Sequence, residues 1–173
     1  MAKRAASKQR GNGIIHGVQQ ELKALLDGGQ AHVSFDDAVK GFPPRLRGTV
    51  VEELPYSAWQ IVEHIRIAQR DILDYCRNHD GSYKPMKWPE DYWPKDAAPP
   101  NGTAWGESLK AIKSDRRSLE ALLKESDSEG LVAPFPWGQG QTLLREILLV
   151  ADHSAYHTGE LVVLRRLLGC WKT

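Results

Sequence analysis

The sequence predicts an all-α fold, a four-helix bundle with long loops rich in proline and tryptophan. Four segments repeat apolar residues at three- and four-residue steps, which is the spacing of one helix face. No segment alternates apolar and polar residues with the period of two that marks a half-buried strand. The chain has 173 residues, which is enough for one domain with a substantial core. Four long amphipathic helices in a domain of this size are typical of a helical bundle.

The first helix is predicted from about Asn12 to Leu26, and two glycines end it. The preceding residues 1–11 are basic, and no apolar run of signal-peptide length follows them. We therefore expect residues 1–11 to be a disordered tail and residues 12–173 to form the single bundle domain. The predicted inner stripe of this helix consists of Ile15, Val18, Leu22 and Leu25.

The second helix has the clearest start in the chain. Ser57 is a favourable N-cap residue, and Gln60 stands three residues later, so the two can form a capping box. The helix is expected to continue to about Cys76. Before it, a short helical piece is expected near residues 35–39, because the connection is too long to lack structure of its own. The predicted inner stripe is Ile61, Ile65, Ala68 and Ile72, with Val62 and Leu73 beside it.

Residues 80–102 form a loop, because five prolines and two glycines break both helix and strand. Its aromatic residues are expected to pack over one end of the domain. The third helix is predicted from about Thr103 to Lys124, with Thr103 or Asn101 as its cap. The fourth helix begins after Thr142, continues to about Leu168 and is closed by Gly169.

Charge and cysteine content restrict the class of protein. The 23 Lys and Arg residues balance 22 Asp and Glu residues, so the formal charge of +1 provides no footprint for nucleic acid or an anionic membrane. No apolar run reaches the roughly 18 residues that span a bilayer. Cys76 and Cys170 are too few for a disulfide framework. We therefore expect a cytoplasmic protein without nucleic-acid or membrane partners.

The fourth helix carries two histidines four residues apart, in the stretch "DHSAYHTGEL". His153 and His157 are about one helical turn apart and face the same way, so they can hold one metal ion together. A metalloprotease helix has Glu directly after the first His, but here that residue is Ser154, which excludes this class. An isolated pair of this kind is more often structural, with one histidine in the core and the other partly exposed.

A third histidine makes a metal site the stronger interpretation. His64 lies on the predicted buried stripe of the second helix, where its ring nitrogens need partners. Helical bundles bring side chains of different helices together and commonly build metal sites in this way. The predicted ligands are therefore His64, His153 and His157, with coordination positions left open. Zinc or nickel suits such a site best, and iron or manganese is an alternative. The remaining histidines, in less suitable positions, are His16, His32 and His79.

Glu160 is the candidate catalytic residue. It follows His157 by three residues and so lies on the same helix face. Its carboxylate can act as a general base or can hold a ligand histidine from behind. The alternative is an ordinary solvated carboxylate. Asp152 and Tyr156, on an adjacent face, can orient a ligand histidine or bond to each other.

Two stretches resemble the DinB-like superfamily of metal-dependent enzymes: "SAWQIVEHIRIAQRDIL" and "TLLREILLVADHSAYHTGELVVLRRLLG". The element "DHxxYHxG" is the most telling part. The resemblance implies a four-helix bundle that binds a divalent metal through one histidine of the second helix and two of the fourth, which match His64, His153 and His157. It also implies a hydrolase or a low-molecular-weight-thiol S-transferase, hence a small-molecule substrate, and dimers among similar proteins make a homodimer an expectation. Glu160 departs from the similar motif, which usually has Gln there.

Three functions remain open at this point. The leading one is a metalloenzyme of hydrolase or thiol-transferase type, which needs open coordination positions and a pocket. The second is a metal-stabilised stress-response or binding module without turnover, in which protein ligands close the metal shell. The third is a metal-free bundle that uses its tryptophan-rich loop as a partner surface. A di-iron bundle is disfavoured, because its helices need the spacing Glu-x-x-His, which Glu146 and Glu160 lack.

Overall fold

The computed structural model describes residues 2–171, with side chains from residue 13 onward. Within this range the chain forms α-helices and isolated bridges but no β-strand. The all-α prediction is therefore confirmed, and α1, α3, α4 and α6 are the long helices of the bundle. The helices are α1 (Ala2–Asp27), α2 (Phe35–Val39), α3 (Ala58–Cys76), α4 (Ala104–Glu125), α5 (Ser128–Val132) and α6 (Leu143–Leu167), and short 3-10 helices lie at Pro44–Leu46 and Glu90–Tyr92.

Helix α3 is the centre of the bundle and packs against both α4 and α6. It is parallel to α4, since Gln69 of α3 bonds to the carbonyl of Ile112 and Arg70 pairs with Asp115 further along both helices. It is antiparallel to α6, because the first half of α3 shares a core cluster with the last half of α6. A second cluster joins the last half of α3 and the first half of α6 with α1 and α5. The parallel α3–α4 pair requires the long loop between them to return along the bundle.

The predicted ends of α3 and α6 are confirmed. The Oγ of Ser57 accepts from the backbone N–H of Gln60 at 3.2 Å, and the Oε1 of Gln60 accepts from the backbone N–H of Ser57 at 3.1 Å. These two bonds complete the capping box. Thr142 caps α6 through its side chain. Gly169 follows α6 with φ of +65°, a conformation that a residue without Cβ adopts easily.

Helix α1 differs from the prediction in its start and in its buried face. It begins at Ala2, so residues 2–11, which were predicted to be a tail, belong to the helix. The disorder of this segment and the domain boundaries stay predictions. Val18 and Leu25 are 38% and 49% exposed, whereas Leu22 and Leu26 are buried. The predicted stripe is therefore wrong at Val18 and Leu25, because the contact with α4 and α6 is made through the face that carries Leu22 and Leu26.

The loop of residues 77–103 lies along α3 rather than over one end of the bundle, which corrects the expectation. It runs antiparallel to α3, because successive loop carbonyls accept hydrogen bonds from α3 positions in reverse order. Those bonds run from Ser57 to Ala97, from Gln60 to Pro94 and from His64 to Tyr92. The loop thereby forms a wall beside the first half of α3. None of the helices in residues 2–171 combines the length and the apolar character needed to cross a membrane.

Candidate metal centre

The antiparallel packing of α3 and α6 brings three histidines together, as the sequence predicts. The ring centroid of His64 lies 4.8 Å from that of His153 and 4.6 Å from that of His157. The two rings of α6 are 4.5 Å apart. One nitrogen from each ring lies within 4.8 Å of the others. One ion with metal–nitrogen bonds of about 2.0–2.1 Å can bridge such a set after small side-chain shifts.

His64 is the most deeply buried of the three, with 1% of its surface exposed. Its Nδ1–H donates to the backbone carbonyl of Tyr92 at 2.9 Å. The hydrogen therefore sits on Nδ1, and the lone pair of Nε2 faces α6. The indole of Trp93 stacks on the imidazole at 3.8 Å with an interplanar angle of 5°, and Tyr56 stacks on the other face of Trp93 at 3.7 Å. This column of rings closes one side of the cluster.

His157 is held from behind by a carboxylate. It is 6% exposed, and its Nδ1–H donates to the Oε2 of Glu160 at 2.6 Å. Burial raises the pKa of Glu160, while a hydrogen bond from Tyr156 and the neighbouring His64 act in the opposite direction. Tyr156 also meets the His157 ring edge-on at 4.9 Å. Glu160 thus lies beside the cluster, as its spacing predicts, and contacts the outer nitrogen of the imidazole.

His153 completes the cluster from the more open side. Its Nε2 lies 2.9 Å from the Nε2 of His64. Two imidazole lone pairs repel each other at this distance, so either a proton or a cation must lie between the nitrogens. Because Nδ1 of His64 already carries its hydrogen, a shared proton would have to come from His153.

The surroundings keep all three imidazoles in the neutral form that ligates metals. Burial lowers the pKa of His64, although the Tyr92 carbonyl and Glu160 partly oppose the shift. Burial lowers the pKa of His153 to about 4, with help from the neighbouring His157 and His64. Burial and then His64 lower the pKa of His157 to about 4 as well. At neutral pH this donor set therefore consists of neutral nitrogens, which fits a divalent cation.

A pocket of ≈ 380 Å³ opens beside His153. It lies between the second half of α3, the first half of α6 and the long loop. Four aromatic residues line it beside aliphatic side chains, and Asp71, Arg145 and Glu146 contribute charge. A larger cavity of ≈ 520 Å³ lies between the end of α1 and α6, but none of the three clustered histidines lines it. The pocket at His153 is the candidate substrate site because a histidine of the cluster lines it, although the other cavity is larger. Its rings are Tyr75, Tyr83, Trp88 and Tyr92.

The remaining histidines and cysteines stay apart from the cluster. Cys76 and Cys170 are free thiols, and burial raises the pKa of Cys76 to about 12, so that thiol stays protonated. Sequence reasoning missed the Tyr92 carbonyl, the Trp93 indole and the Tyr56 ring as parts of the site. The aromatic residues of "WPEDYWP" pointed to a packed loop but not to the helix against which it packs.

Fold and site together define an all-helical bundle protein in which two antiparallel helices assemble three imidazoles. The sequence profile of the DinB superfamily matches residues 29–161, which is more than half of the chain and contains the whole cluster. The chain belongs to the DinB superfamily. Comparison with curated proteins and with solved structures gives no match.

Proposed function

We propose that this chain binds one divalent metal ion through His64, His153 and His157 and uses it as an enzyme acting on a small molecule. The reaction class is hydrolysis or S-transfer with a low-molecular-weight thiol. The observation that carries the proposal is the convergence of three neutral imidazoles from two helices, with the outer nitrogens of His64 and His157 already bonded. Membership of the DinB superfamily supports it.

The donor set favours particular metals. The cluster offers nitrogen atoms and no thiolate, which suits zinc or nickel, with iron(II) or manganese as alternatives in a cell where these are more available. When bound, such an ion would supply a positive centre that polarises a substrate oxygen or stabilises a thiolate.

The chain's own groups prepare the site. Glu160 and the Tyr92 carbonyl hold the outer hydrogens of His157 and His64, which fixes the direction of both rings. Trp93 and Tyr56 exclude water from the loop side. The open approach is from the pocket at His153, whose aromatic wall can take the body of a small substrate.

Glu160 is also the candidate for proton transfer. Its carboxylate is partly buried, and burial raises its pKa toward the range in which a carboxylate exchanges protons efficiently. A general base at Oε2 would act beside the cluster, since the same atom lies 2.6 Å from Nδ1 of His157. Glu160→Ala removes both roles of Glu160, holding His157 and accepting a proton, whereas Glu160→Gln keeps an acceptor for His157 and loses only the second role.

The test begins with elemental analysis of the full chain purified without a histidine tag. We expect about one equivalent of divalent metal. The loaded protein is then screened with small thiols plus electrophilic acceptors, and separately with esters and amides. A chain without metal would contradict the proposal. Bound metal without turnover in either screen would contradict the enzyme assignment and favour a metal-stabilised binding module.

A further inference from the structure

Asp71 joins the long loop to α3 about two helical turns beyond His64. Its Oδ1 accepts a hydrogen bond from the Tyr83 hydroxyl at 3.0 Å, and its Oδ2 accepts one from the Tyr92 hydroxyl at 2.6 Å. Burial and the Asp71 carboxylate raise the pKa of both phenols, so both remain donors at neutral pH. One carboxylate therefore fastens two parts of the loop.

Tyr92 is attached to α3 at both ends. Its hydroxyl donates to Asp71, while its backbone carbonyl accepts from Nδ1–H of His64 at 2.9 Å. The residue belongs to a single 3-10 turn, Glu90–Tyr92, which is too short to be rigid without outside contacts. After Tyr92 the loop is held by Gln60. Before Tyr92, the bonds to α3 go to Asp71.

We propose that Asp71 is a positioning residue for the metal centre, acting through Tyr92 to aim the carbonyl that fixes the ring of His64. The inference rests on the proposed metal binding and adds a residue that contacts neither the metal ligands nor the ion. Removing the Tyr92 hydroxyl frees the loop before the carbonyl, so Nδ1 of His64 loses a fixed acceptor. The imidazole can then shift its hydrogen to Nε2, the nitrogen that has to ligate.

Tyr83 provides a matched control. It donates to the other oxygen of the same carboxylate, and its backbone N–H donates to Asn78 rather than to the cluster. Tyr83→Phe and Tyr92→Phe therefore each remove one hydrogen bond from a half-buried phenol to the same carboxylate. Loss of general stability should be alike in the two variants, whereas an effect on His64 should appear in Tyr92→Phe alone.

The experiment measures zinc affinity of the full chain by competition with a chromophoric chelator, and the His64 tautomer of the metal-free chain by nitrogen NMR. We expect Tyr92→Phe to weaken zinc binding by about tenfold and to mix the two His64 tautomers, as for other residues that hold a ligand histidine. Tyr83→Phe should stay within about twofold of wild type. Asp71→Ala should weaken zinc binding as much as Tyr92→Phe does. The double variant should bind zinc no more weakly than either single variant, because both changes break the same Asp71–Tyr92 hydrogen bond.

The outcomes separate this inference from the proposed function. A wild-type chain that binds none of zinc, nickel, iron(II) and manganese overturns both. A wild-type chain that binds zinc, with equal affinities in Tyr92→Phe and Tyr83→Phe, overturns the positioning role alone. If Asp71→Ala does not fold, the two phenylalanine variants still decide the matter, since each keeps the ring and its packing.

Discussion

The Nε2 atoms of His64 and His153 lie 2.9 Å apart across the contact between α3 and α6. Nδ1 of His64 donates to the Tyr92 carbonyl, so its Nε2 is an acceptor that a proton or a cation has to satisfy. His157 adds a third nitrogen to the same space. Under the proposed function these three neutral nitrogens hold one metal ion, and the following predictions depend on that binding.

Replacing a ligand should remove metal without unfolding the bundle. His157→Ala is expected to lose most of the bound metal, since two imidazoles hold an ion far more weakly than three. Far-ultraviolet circular dichroism should keep its helical signal, because alanine is the best helix former. His79→Ala, in an exposed turn outside the cluster, is the control. One equivalent of metal in His157→Ala, measured by elemental analysis, would refute the ligand assignment.

Metal retention should extend to lower pH than the ordinary histidine pKa of about 6.5 implies. Protons compete with the metal for a histidine nitrogen only when the pH falls toward the pKa of that histidine. The pKa values of His153 and His157 are lowered to about 4. We expect nearly full occupancy at pH about 5.5 and release as the pH approaches about 4. Dialysis at a series of pH values followed by elemental analysis tests this, and release near pH 6.5 would count against it.

The metal-free protein should lose stability as the pH falls from about 6.5 to about 4. In this window the unfolded chain, whose histidines titrate near 6.5, binds more protons than the folded chain, whose His153 and His157 titrate at about 4. Stability from these residues is therefore fully present above the window and is lost below it. Urea unfolding at a series of pH values, in the presence of a chelator, measures how the free energy of unfolding depends on pH. This dependence should become weaker in the double variant His153→Gln/His157→Gln and should persist in the control His16→Gln.

Glu160 variants should distinguish its two possible roles. Glu160→Ala leaves Nδ1–H of His157 without its acceptor and is expected to weaken metal affinity about 10- to 100-fold. Glu160→Gln keeps an acceptor oxygen and should lose less affinity, but it cannot take up a proton. Metal titration of both variants measures how much Glu160 contributes to metal affinity by holding His157. Once a substrate is found, the turnover rate of metal-loaded Glu160→Gln tests proton transfer, and an unchanged rate would show that Glu160 does not transfer a proton.

Trp93 should report metal binding by fluorescence. Its indole stacks on His64 at 3.8 Å, so a charge placed on that imidazole alters the environment of the excited indole. Metal titration should change the emission of wild type, and Trp93→Phe should abolish most of that change. Trp137→Phe is the control, because Trp137 packs against Phe135 and His79 instead. An equal change in all three proteins would show that the signal comes from elsewhere.

The parts of the fold that local chemistry determines were predictable from the sequence. Ser57 with Gln60, Thr142 and Gly169 define helix ends through short-range bonds or backbone conformation, and the structure has each of them. Of the two candidates at α4, Thr103 occupies the N-cap position without a capping bond from its side chain, while the Oδ1 of Asn101 accepts from the backbone N–H of Ala104 at 2.9 Å. The three histidines were predictable for the same reason, since helical spacing places them on inner faces.

The remaining features depend on contacts that spacing does not reveal. On α1, three- and four-residue steps fit both the stripe with Leu25 and the stripe with Leu26, and only packing against α4 and α6 selects the latter. Helix α5 was missed because the prolines after it dominate the local pattern, although Asp127 is a good N-cap. The partner of Nδ1 of His64 is a backbone carbonyl, which every residue possesses and which no sequence motif marks.

Part of the loop beside α3 is held through its main chain, with the carbonyls of Tyr92, Pro94 and Ala97 as acceptors for helix side chains. Main-chain acceptors survive nearly any substitution. A substitution at Trp88 can therefore change the pocket wall, while Tyr92, whose hydroxyl is bonded to Asp71, keeps the carbonyl for His64 in place. One loop thus supplies both a replaceable wall of the pocket and the main-chain acceptor that fixes a candidate metal ligand.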